Sequence, residues 1–377
     1  MDTVLVRFSE IATKSHPVRG KMLEVLRQRV RDRIVYEDFE FDGVHKAQGR
    51  IIIDTPEAEK AAEAVSELPG AASASPTIRA DAELDSIKEA VRELDIGETF
   101  GVDTNRAGEH DFNSKDVNIE IGSYIEDLTG ANVDLDDPET WVEIDIRFEE
   151  AFIFSKRFEG PDGFPVGTAG RYAALISGGI DSPVAAYEIM TRGADVTPIY
   201  FYNKPIAAED HLLRFRSAVS KLERFHPAKK WEAFVVDMEE VNQELMRIGR
   251  GRMLLHRQLM FAVSSRIAED EGLNGLVTGE SMSQKSSQTS SNLEMTTSSI
   301  DKPVLRPLLT WSKRDIVEEA KMIGSFEDAN IASACRTMAP DSPATSMKDE
   351  KMEELKEKVG FDELVEKACD SIEKIEI

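Results

Sequence analysis

Short stretches of alternating hydrophobic and polar residues are separated by amphipathic helical stretches along the first part of the chain. The spacing predicts strands over residues 3–8, 49–55 and 98–104. It predicts helices over residues 17–35, 56–68, 83–94 and 114–128. Residues 141–148 alternate cleanly, and residues 151–158 are expected to pair with them as the second strand of a hairpin. We therefore predict two small α+β units, over residues 1–54 and 55–158.

A different rhythm begins after a segment rich in glycine and proline. Residues 159–171 contain four glycines and two prolines, which predicts a linker. Beyond it, apolar runs predict strands over residues 172–176, 196–202, 232–238 and 274–278. Amphipathic stretches predict helices over residues 183–192, 208–225, 239–248 and 252–271. This alternation indicates an α/β fold with a doubly wound parallel sheet over residues 172–377, whose ligands bind at the carboxyl ends of the strands.

The first strand of this predicted sheet runs into a glycine-rich loop, Ser-Gly-Gly-Ile-Asp-Ser, at residues 177–182. Pro183 suits the first turn of a helix, where its missing N–H costs nothing. The helix start offers free N–H groups, and Gly178 and Gly179 let an anion approach the main chain. Asp181 can hold a Mg²⁺ ion that bridges phosphates. The loop therefore predicts a phosphate site, although it lacks the lysine of the common nucleoside-triphosphate loop.

A second polar loop follows the predicted strand at residues 274–278. Its stretch "TGESMSQKSSQTSSNL" is rich in serine and threonine, which is typical of a flexible surface loop. However, it begins at the carboxyl end of a parallel strand, on the same edge of the sheet as the loop 177–182. The alternative is therefore a second wall of a nucleotide pocket.

Charge changes this picture in two directions. The formal net charge is −25, which predicts a solvated, self-repelling surface or an adaptation to high intracellular salt. Such a charge argues against a nucleic-acid partner. Between Arg7 and Arg33, however, eight basic residues are interrupted by only three acidic ones. This segment is either a patch for a phosphate backbone or a solvated helix face.

The remaining composition points to a cytoplasmic protein without a membrane partner. No apolar run approaches the roughly 18–20 residues of a membrane helix, and the first residues do not resemble a signal peptide. Cys335 and Cys369 are the two cysteines. Two thiols cannot supply a four-ligand zinc site, and a structural disulfide is not expected in the cytosol.

Several motifs resemble those of one known family. The loop 177–182 between a strand and a helix resembles the PP-loop of ATP pyrophosphatases, which cleave ATP between the α- and β-phosphates. Together with it, the second loop, "LRPLLTWSKRDIVEEAKMIG" and "SACRTMAPDSP" resemble the ThiI family of tRNA 4-thiouridine synthetases. "FSEIATKS" with "RGK" resembles that family's N-terminal ferredoxin-like domain, and "RAGEHDFNSKDVNIEIGSYI" resembles its THUMP domain.

The resemblance implies a domain order. A ferredoxin-like domain is expected at residues 1–54, a THUMP RNA-binding domain at 55–158, a linker at 159–171, and a PP-loop ATP pyrophosphatase domain at 172–377. It also implies ATP and Mg²⁺ as cofactors and tRNA as the partner. The ATP-binding positions are Leu175, Ile176, Ser177, Gly178, Gly179, Asp181, Ser182, Arg257, Gly279 and Gln288. Asp181 would also be catalytic and would hold Mg²⁺ through ATP. The expected tRNA contacts are Lys14, Arg19, Lys21, Arg27 and Arg106.

The resemblance further implies a catalytic role for Cys335, for which a structural thiol is the alternative. We expect a form without the rhodanese domain that carries the persulfide in the best-known bacterial pattern. Cys369 lies on a predicted amphipathic helix that includes Leu364, Val365 and Ile372, so it is a core thiol or a resolving thiol. The sulfur donor is left open between a persulfide on Cys335, a relay of the two cysteines, and external sulfide.

The function implied by the resemblance is ATP-dependent adenylation of the C4 oxygen of a tRNA uridine, followed by replacement with sulfur to give 4-thiouridine. The resemblance also implies that the protein supplies sulfur for the thiamine thiazole. By family analogy, it implies a homodimer. Two alternatives stand beside this function. One is a PP-loop RNA-adenylating ligase or amidating enzyme that uses ammonia, and the other is a THUMP RNA-binding protein with a vestigial nucleotide site.

Overall fold

A computed structural model of the protein describes residues 1–47, 49–205, 210–327 and 346–377. It contains two compact units, Met1–Pro165 and Val166–Ile377. The division between them falls within the segment 159–171 that is rich in glycine and proline. In the described ranges, no helix is long and apolar enough to cross a membrane.

The first unit is a mixed sheet with helices packed on it. Its strands are β1 (Thr3–Arg7), β2 (Gly43–Ala47), β3 (Arg50–Asp54), β4 (Ser73–Asp81), β5 (Thr99–Ala107), β6 (Asn132–Val133), β7 (Thr140–Arg147), β8 (Glu150–Phe154) and β9 (Phe158–Glu159). Its helices are α1 (His16–Tyr36), α2 (Ala58–Ser66), α3 (Leu84–Val91) and α4 (Ser114–Thr129). The strand order is β2-β3-β1-β4-β8-β7-β5-β6, and β9 pairs with β4.

Two hydrophobic cores share the long strand β4. The first core joins α1 and α2 to β1 and β3, and it includes Ala61, Val65 and Ala74. The second core packs α3 and α4 on β5, β7 and β8, and it includes Ile78 from the same β4. Because the apolar face of α2 is buried in the first core, that core extends past the boundary expected at residue 54. Strand β2 was not expected from the sequence, because Gly43–Ala47 has little hydrophobic alternation.

The second unit has the predicted alternation of strands and helices. Its strands are β10 (Arg171–Leu175), β11 (Asp195–Tyr202), β12 (Glu232–Asp237), β13 (Gly275–Val277), β14 (Val304–Leu305) and β15 (Ile372–Glu376). Its helices are α5 (Asp181–Thr191), α6 (Asp210–Glu223), α7 (Glu239–Leu245), α8 (Arg252–Asp270), α9 (Ser290–Thr297), α10 (Lys313–Met322), α11 (Asp349–Val359) and α12 (Phe361–Asp370).

The sheet of the second unit has the order β14-β13-β10-β11-β12-β15. All its pairs are parallel except the last, in which β15 runs antiparallel to β12. Side chains of successive strand residues enter opposite cores. Ala173 joins a core with α7, α8 and α12, whereas Ala174 joins a core with α5, α6 and α10. The predicted doubly wound parallel sheet is therefore confirmed.

One prediction at the end of the chain is wrong. The helix that carries Cys369 ends at Asp370, and Ile372 begins β15 instead of continuing the apolar face of the helix. Ile372 and Ile375 pack into the cores on the two sides of the sheet. Their spacing fits a strand covered on both faces as well as it fits a helix, so apolar spacing over so few residues does not distinguish the two.

Candidate active site

Hydrogen bonds of two serines fix the conformation of the loop between β10 and α5. The backbone N–H of Ser177 donates to the Ser182 hydroxyl oxygen at 2.8 Å, and the two hydroxyl oxygens lie 3.0 Å apart. The Gly179 N–H donates to Ser177 Oγ at 3.3 Å. Because Ser182 lies in the first turn of α5, these bonds tie the loop to the helix start. Free N–H groups at such a helix start bind anions.

Gly279 brings the second loop against the first. A Cβ atom added to Gly279 would lie 2.7 Å from the carbonyl carbon of Asp181 and 2.7 Å from the nitrogen of Ser182. Non-bonded atoms do not approach so closely, so glycine alone lets the chain after β13 contact the start of α5. The two predicted loops therefore lie side by side at the carboxyl edge of the sheet.

Asp181, the first residue of α5, is contacted from two sides. Lys313 Nζ, at the start of α10, lies 2.5 Å from Asp181 Oδ1, and Gln284 Nε2 of the second loop lies 3.5 Å from Oδ2. The start of α10 thus forms a third part of the site. Lys313 supplies beside the loop the ammonium group that the loop itself lacks.

The second loop carries a buried carboxylate between two arginines. Glu280 is 1 % exposed. Its Oε1 accepts from Arg257 Nη1 at 2.9 Å, and its Oε2 accepts from Arg306 Nε at 2.7 Å and from Thr278 Oγ1 at 3.1 Å. Two guanidinium groups share one carboxylate, so an excess of positive charge remains at this edge of the sheet. Arginines placed in this way bind phosphate oxygens well.

The other expected nucleotide positions differ in what their side chains do. Ile176 is 2 % exposed and belongs to a hydrophobic core, so its side chain packs in the interior. Leu175 is half-buried against the other core. A Cβ atom on Gly178 would lie 3.0 Å from the Cβ of Arg214, which makes glycine the fitting residue there. The buried Oε1 of Gln288 has no hydrogen-bond partner in the described structure.

A buried histidine adjoins this site as a structural group. Burial, with a smaller effect of Arg257, lowers the pKa of His256 to about 4, so its ring is neutral at pH 7. His256 Nε2 lies 3.0 Å from Asn203 Oδ1. Because an amide oxygen only accepts, Nε2 carries the ring proton in this assignment. The bond ties α8 to the end of β11.

Four residues of this site were not among the positions expected from the sequence: Glu280, Gln284, Arg306 and Lys313. Arg306 directly follows the short strand β14, and a polar residue at a strand end was a usable signal. Lys313 follows Ser312, whose hydroxyl caps α10 by accepting from the Asp315 N–H. Nothing in the local sequence indicates that Lys313 contacts Asp181, because that contact depends on how α10 packs against α5.

The basic residues expected to contact RNA are partly engaged within the first unit. Lys14 Nζ lies over an aromatic ring at 4.5 Å, and Arg27 pairs with Glu24 at 2.6 Å. Arg106 Nη1 donates to a backbone carbonyl at 3.1 Å. The start of α1 carries the other two, Arg19 and Lys21.

Ion pairs also engage Arg29 and Arg33, so the basic segment between Arg7 and Arg33 is less positive than its sequence indicates.

The two cysteines differ in what the structure says of them. Cys335 lies outside the described residues. Cys369, on α12, is half-buried against a hydrophobic core, and burial raises the pKa of its thiol. A thiol with a raised pKa forms little of the reactive thiolate at neutral pH.

Three family models match the chain in order. Residues 3–75 match the ThiI ferredoxin-like domain, residues 81–156 match the THUMP domain, and residues 167–361 match the thiamine biosynthesis protein ThiI. These ranges cover most of the chain.

Relatives and solved structures agree with these matches. A "Probable tRNA sulfurtransferase" of Halobacterium salinarum is 38 % identical, over 92 % of this chain and 90 % of the relative. The "tRNA sulfurtransferase" of Thermoplasma acidophilum is 33 % identical, over 97 % of this chain and 76 % of the relative. A crystal structure of a 4-thiouridine synthetase–RNA complex with bound ATP is 28 % identical, with a TM-score of 0.88 and 100 % coverage of both chains. By family match, relatives and fold, the chain belongs to the ThiI family.

Proposed function

We propose that this protein is an ATP-dependent tRNA sulfurtransferase that converts a tRNA uridine to 4-thiouridine. The observation that carries the proposal is the joining of three segments at Asp181: the loop 177–182, the second loop at Gly279, and Lys313 of α10. The relatives named tRNA sulfurtransferase support it.

The arrangement suits adenylation of a base. ATP is bound with its terminal phosphates on the loop 177–182, which leaves the α-phosphorus open to attack. The uridine O4 attacks the α-phosphorus, the bond to the bridging oxygen breaks, and pyrophosphate leaves. The N3 proton passes to water, so that C4 of the base carries an adenylate as leaving group. Lys313, Arg257 and Arg306 stabilise the negative charge that builds up on the phosphates.

Mg²⁺ fits this site as the partner of ATP. Asp181 offers a carboxylate at the phosphate loop, and among the described residues no cluster of three or more metal-ligating side chains occurs. Mg²⁺ is commonly bound by one or two carboxylates together with substrate phosphates and waters. Asp181 would hold the ion, which would neutralise phosphate charge.

Sulfur must then reach C4 of the adenylated base. In the proposed route a persulfide sulfur on Cys335 attacks C4, the C–O bond breaks and AMP leaves. A thiol then attacks the remaining S–S bond, which leaves sulfur on the base and a disulfide on the protein. The raised pKa of Cys369 makes it a poor choice for this thiol, so we propose an external thiol as the reductant.

The first unit is proposed to hold the tRNA, with Lys14, Arg19, Lys21, Arg27 and Arg106 among the contacts. Its matches to a ferredoxin-like and a THUMP domain support this role, and the similar 4-thiouridine synthetase was crystallised with RNA. The supply of sulfur for thiamine and a homodimer stay predictions from the family resemblance.

The test is a reconstituted reaction. The full chain is incubated with Mg-ATP, a persulfide donor, an external thiol and an unmodified tRNA transcript, and 4-thiouridine is followed by its near-ultraviolet absorbance. We expect Asp181→Ala to abolish both 4-thiouridine formation and pyrophosphate release. Cys335→Ser should abolish 4-thiouridine formation and leave pyrophosphate release unchanged. Asp362→Ala, which removes an acid from the first turn of α12, serves as the control and keeps full activity.

The same experiment separates the two rival functions. Pyrophosphate release that depends on ammonia and yields no 4-thiouridine would indicate the amide-forming enzyme. Binding of tRNA without any ATP-dependent pyrophosphate release would indicate a binding protein with a vestigial site.

A further inference from the structure

The first unit contains a cleft of about 530 Å³ at β5 and β7. It is lined in part by Trp141, Leu135, Asp103 and Arg157. Trp141 lies on the side of β7 opposite to Val142, which packs in the core with α3 and α4. The cleft therefore opens on the sheet face that α3 and α4 do not cover. Its volume is in the range of small-ligand sites.

Trp141 presents an indole ring to this cleft. It is 39 % exposed. Gly101 lies directly opposite Trp141 in the pairing of β5 with β7, and a Cβ atom there would lie 2.5 Å from the ring. The ring thus packs on the bare backbone of Gly101, which fixes its position. A fixed, exposed indole is a stacking surface for a base.

Arg157 lies at the same cleft and pairs with Glu143. It adjoins a group of further arginines on this sheet face. Arg50 and Arg147 both contact Asp145, at 3.1 and 2.5 Å. The whole group has four guanidinium groups against three carboxylates: Arg7, Arg50, Arg147 and Arg157 with Asp103, Glu143 and Asp145.

Arg7 lies beside Arg157 within this group. Arg7 Nη2 is buried and has no hydrogen-bond partner in the described part of the chain. Burial, together with the charge of Arg157, lowers the pKa of Arg7 to about 10. Arg7 and Arg157 thus place positive charge on this sheet face, in a chain whose net charge is −25.

We propose that this cleft binds an unpaired nucleotide of the RNA substrate, with its base stacked on Trp141 and its phosphate on Arg157. Asp103 is exposed beside the ring and accepts an N–H of the base edge. An aromatic ring, a guanidinium group and a carboxylate around one cavity match the three parts of a nucleotide. The proposal rests on the RNA substrate of the proposed function and adds a site for it.

The stacking half is tested by fluorescence. The chain has three tryptophans, and single-stranded RNA nonamers are expected to quench the emission of the full-length protein more than a duplex of the same length. In Trp141→Phe the quenching is lost while tRNA affinity stays within about twofold, because phenylalanine still stacks. In Trp141→Leu tRNA affinity falls about tenfold, since loss of stacking on one base costs roughly 5- to 150-fold.

The phosphate half has a matched control on the same sheet face. The Arg157 side chain is 39 % exposed and pairs with one carboxylate, and the Arg79 side chain is 38 % exposed and pairs with Glu150 and Asp54. We expect Arg157→Gln to weaken tRNA binding about fivefold at 0.1 M salt. The slope of log affinity against log salt should become shallower by about 0.7, as for one single-strand phosphate. Arg79→Gln should change neither quantity.

The outcomes separate this site from the function on which it rests. If the unaltered protein neither binds tRNA nor makes 4-thiouridine, the proposed function fails. If it does both, but Arg157→Gln matches Arg79→Gln or quenching persists in Trp141→Phe, the nucleotide site is wrong and the proposed function stands.

Discussion

At the scale of single residues, Glu280 has the most concentrated set of contacts in the candidate active site. It is buried, and both of its oxygens accept from arginines that come from different segments, α8 and the chain after β14. Without this carboxylate, two guanidinium groups would lie close together with no shared counter-charge. Glu280 therefore positions Arg257 and Arg306, and its effect on ATP is indirect.

Glu280→Gln tests that role. The amide keeps the size of the side chain but removes the charge, so we expect the free energy of unfolding to fall by about 3–5 kcal/mol, as when one partner of a buried ion pair is lost. The KM for ATP should rise more than tenfold. Urea unfolding and initial-rate kinetics measure the two effects. Glu294→Gln, an exposed carboxylate on the neighbouring helix α9, should leave both unchanged.

Lys313 is the second residue with a specific expectation. Its ammonium group contacts Asp181 at the phosphate loop, so Lys313→Met should slow pyrophosphate release about 100-fold while tRNA affinity stays the same. The adjacent Arg314 is 82 % exposed, and Arg314→Met provides the control. Equal rates for the two variants would show that Lys313 has no part in adenylation.

At the scale of elements, local patterns predicted what local chemistry determines. The strand, glycine loop and helix around Ser177 were predictable because turn and capping preferences act within a few residues. The contact of Lys313 with Asp181 was not, since it depends on the packing of α10 against α5. Local patterns also did not indicate that the apolar face of α2 is buried in the first core. They did not indicate the strand at Ile372 either, because that strand forms by pairing with β12.

The packing of α10 against α5 also makes stability depend on pH. Burial, followed by the nearby Glu319, raises the pKa of Glu188 on α5 from 4.5 to about 7, although Arg192 acts in the opposite direction. Burial also raises the pKa of Glu319 on α10. Between the ordinary pKa of 4.5 and the raised pKa of about 7, Glu188 binds more protons in the folded state than in the unfolded state. The stability of the folded state therefore falls as pH rises from about 4.5 to 7.

Glu188→Gln should remove this loss of stability with rising pH. At pH 5 the variant and the unaltered protein should unfold at similar urea concentrations. At pH 8 the variant should be more stable by about 1 kcal/mol, a value that allows for the partial exposure of the group. Glu318→Gln, a 68 % exposed neighbour on α10, should show no such difference. A constant difference between variant and unaltered protein at all pH values would contradict the pKa assignment.

At the scale of the whole molecule, the excess of negative charge determines how salt affects stability. The chain has 71 acidic and 46 basic residues, so 25 carboxylates would remain even if every lysine and arginine were paired. Many surface pairs are indeed present. Such pairs contribute little each, whereas the unpaired carboxylates repel one another over the whole surface. The net effect of salt is therefore set by the repulsion.

We therefore expect potassium chloride to raise the Tm by several degrees. If screening is the cause, most of the rise occurs below about 1 M, because the Debye length falls from about 30 Å at 0.01 M to about 3 Å at 1 M. A Tm that stays flat below 1 M, or that falls, would contradict it. The same salt weakens contacts to RNA phosphates, so stability and RNA affinity should respond in opposite directions. A protein that remains active in high salt must then hold RNA mainly by stacking and hydrogen bonds, which salt affects little.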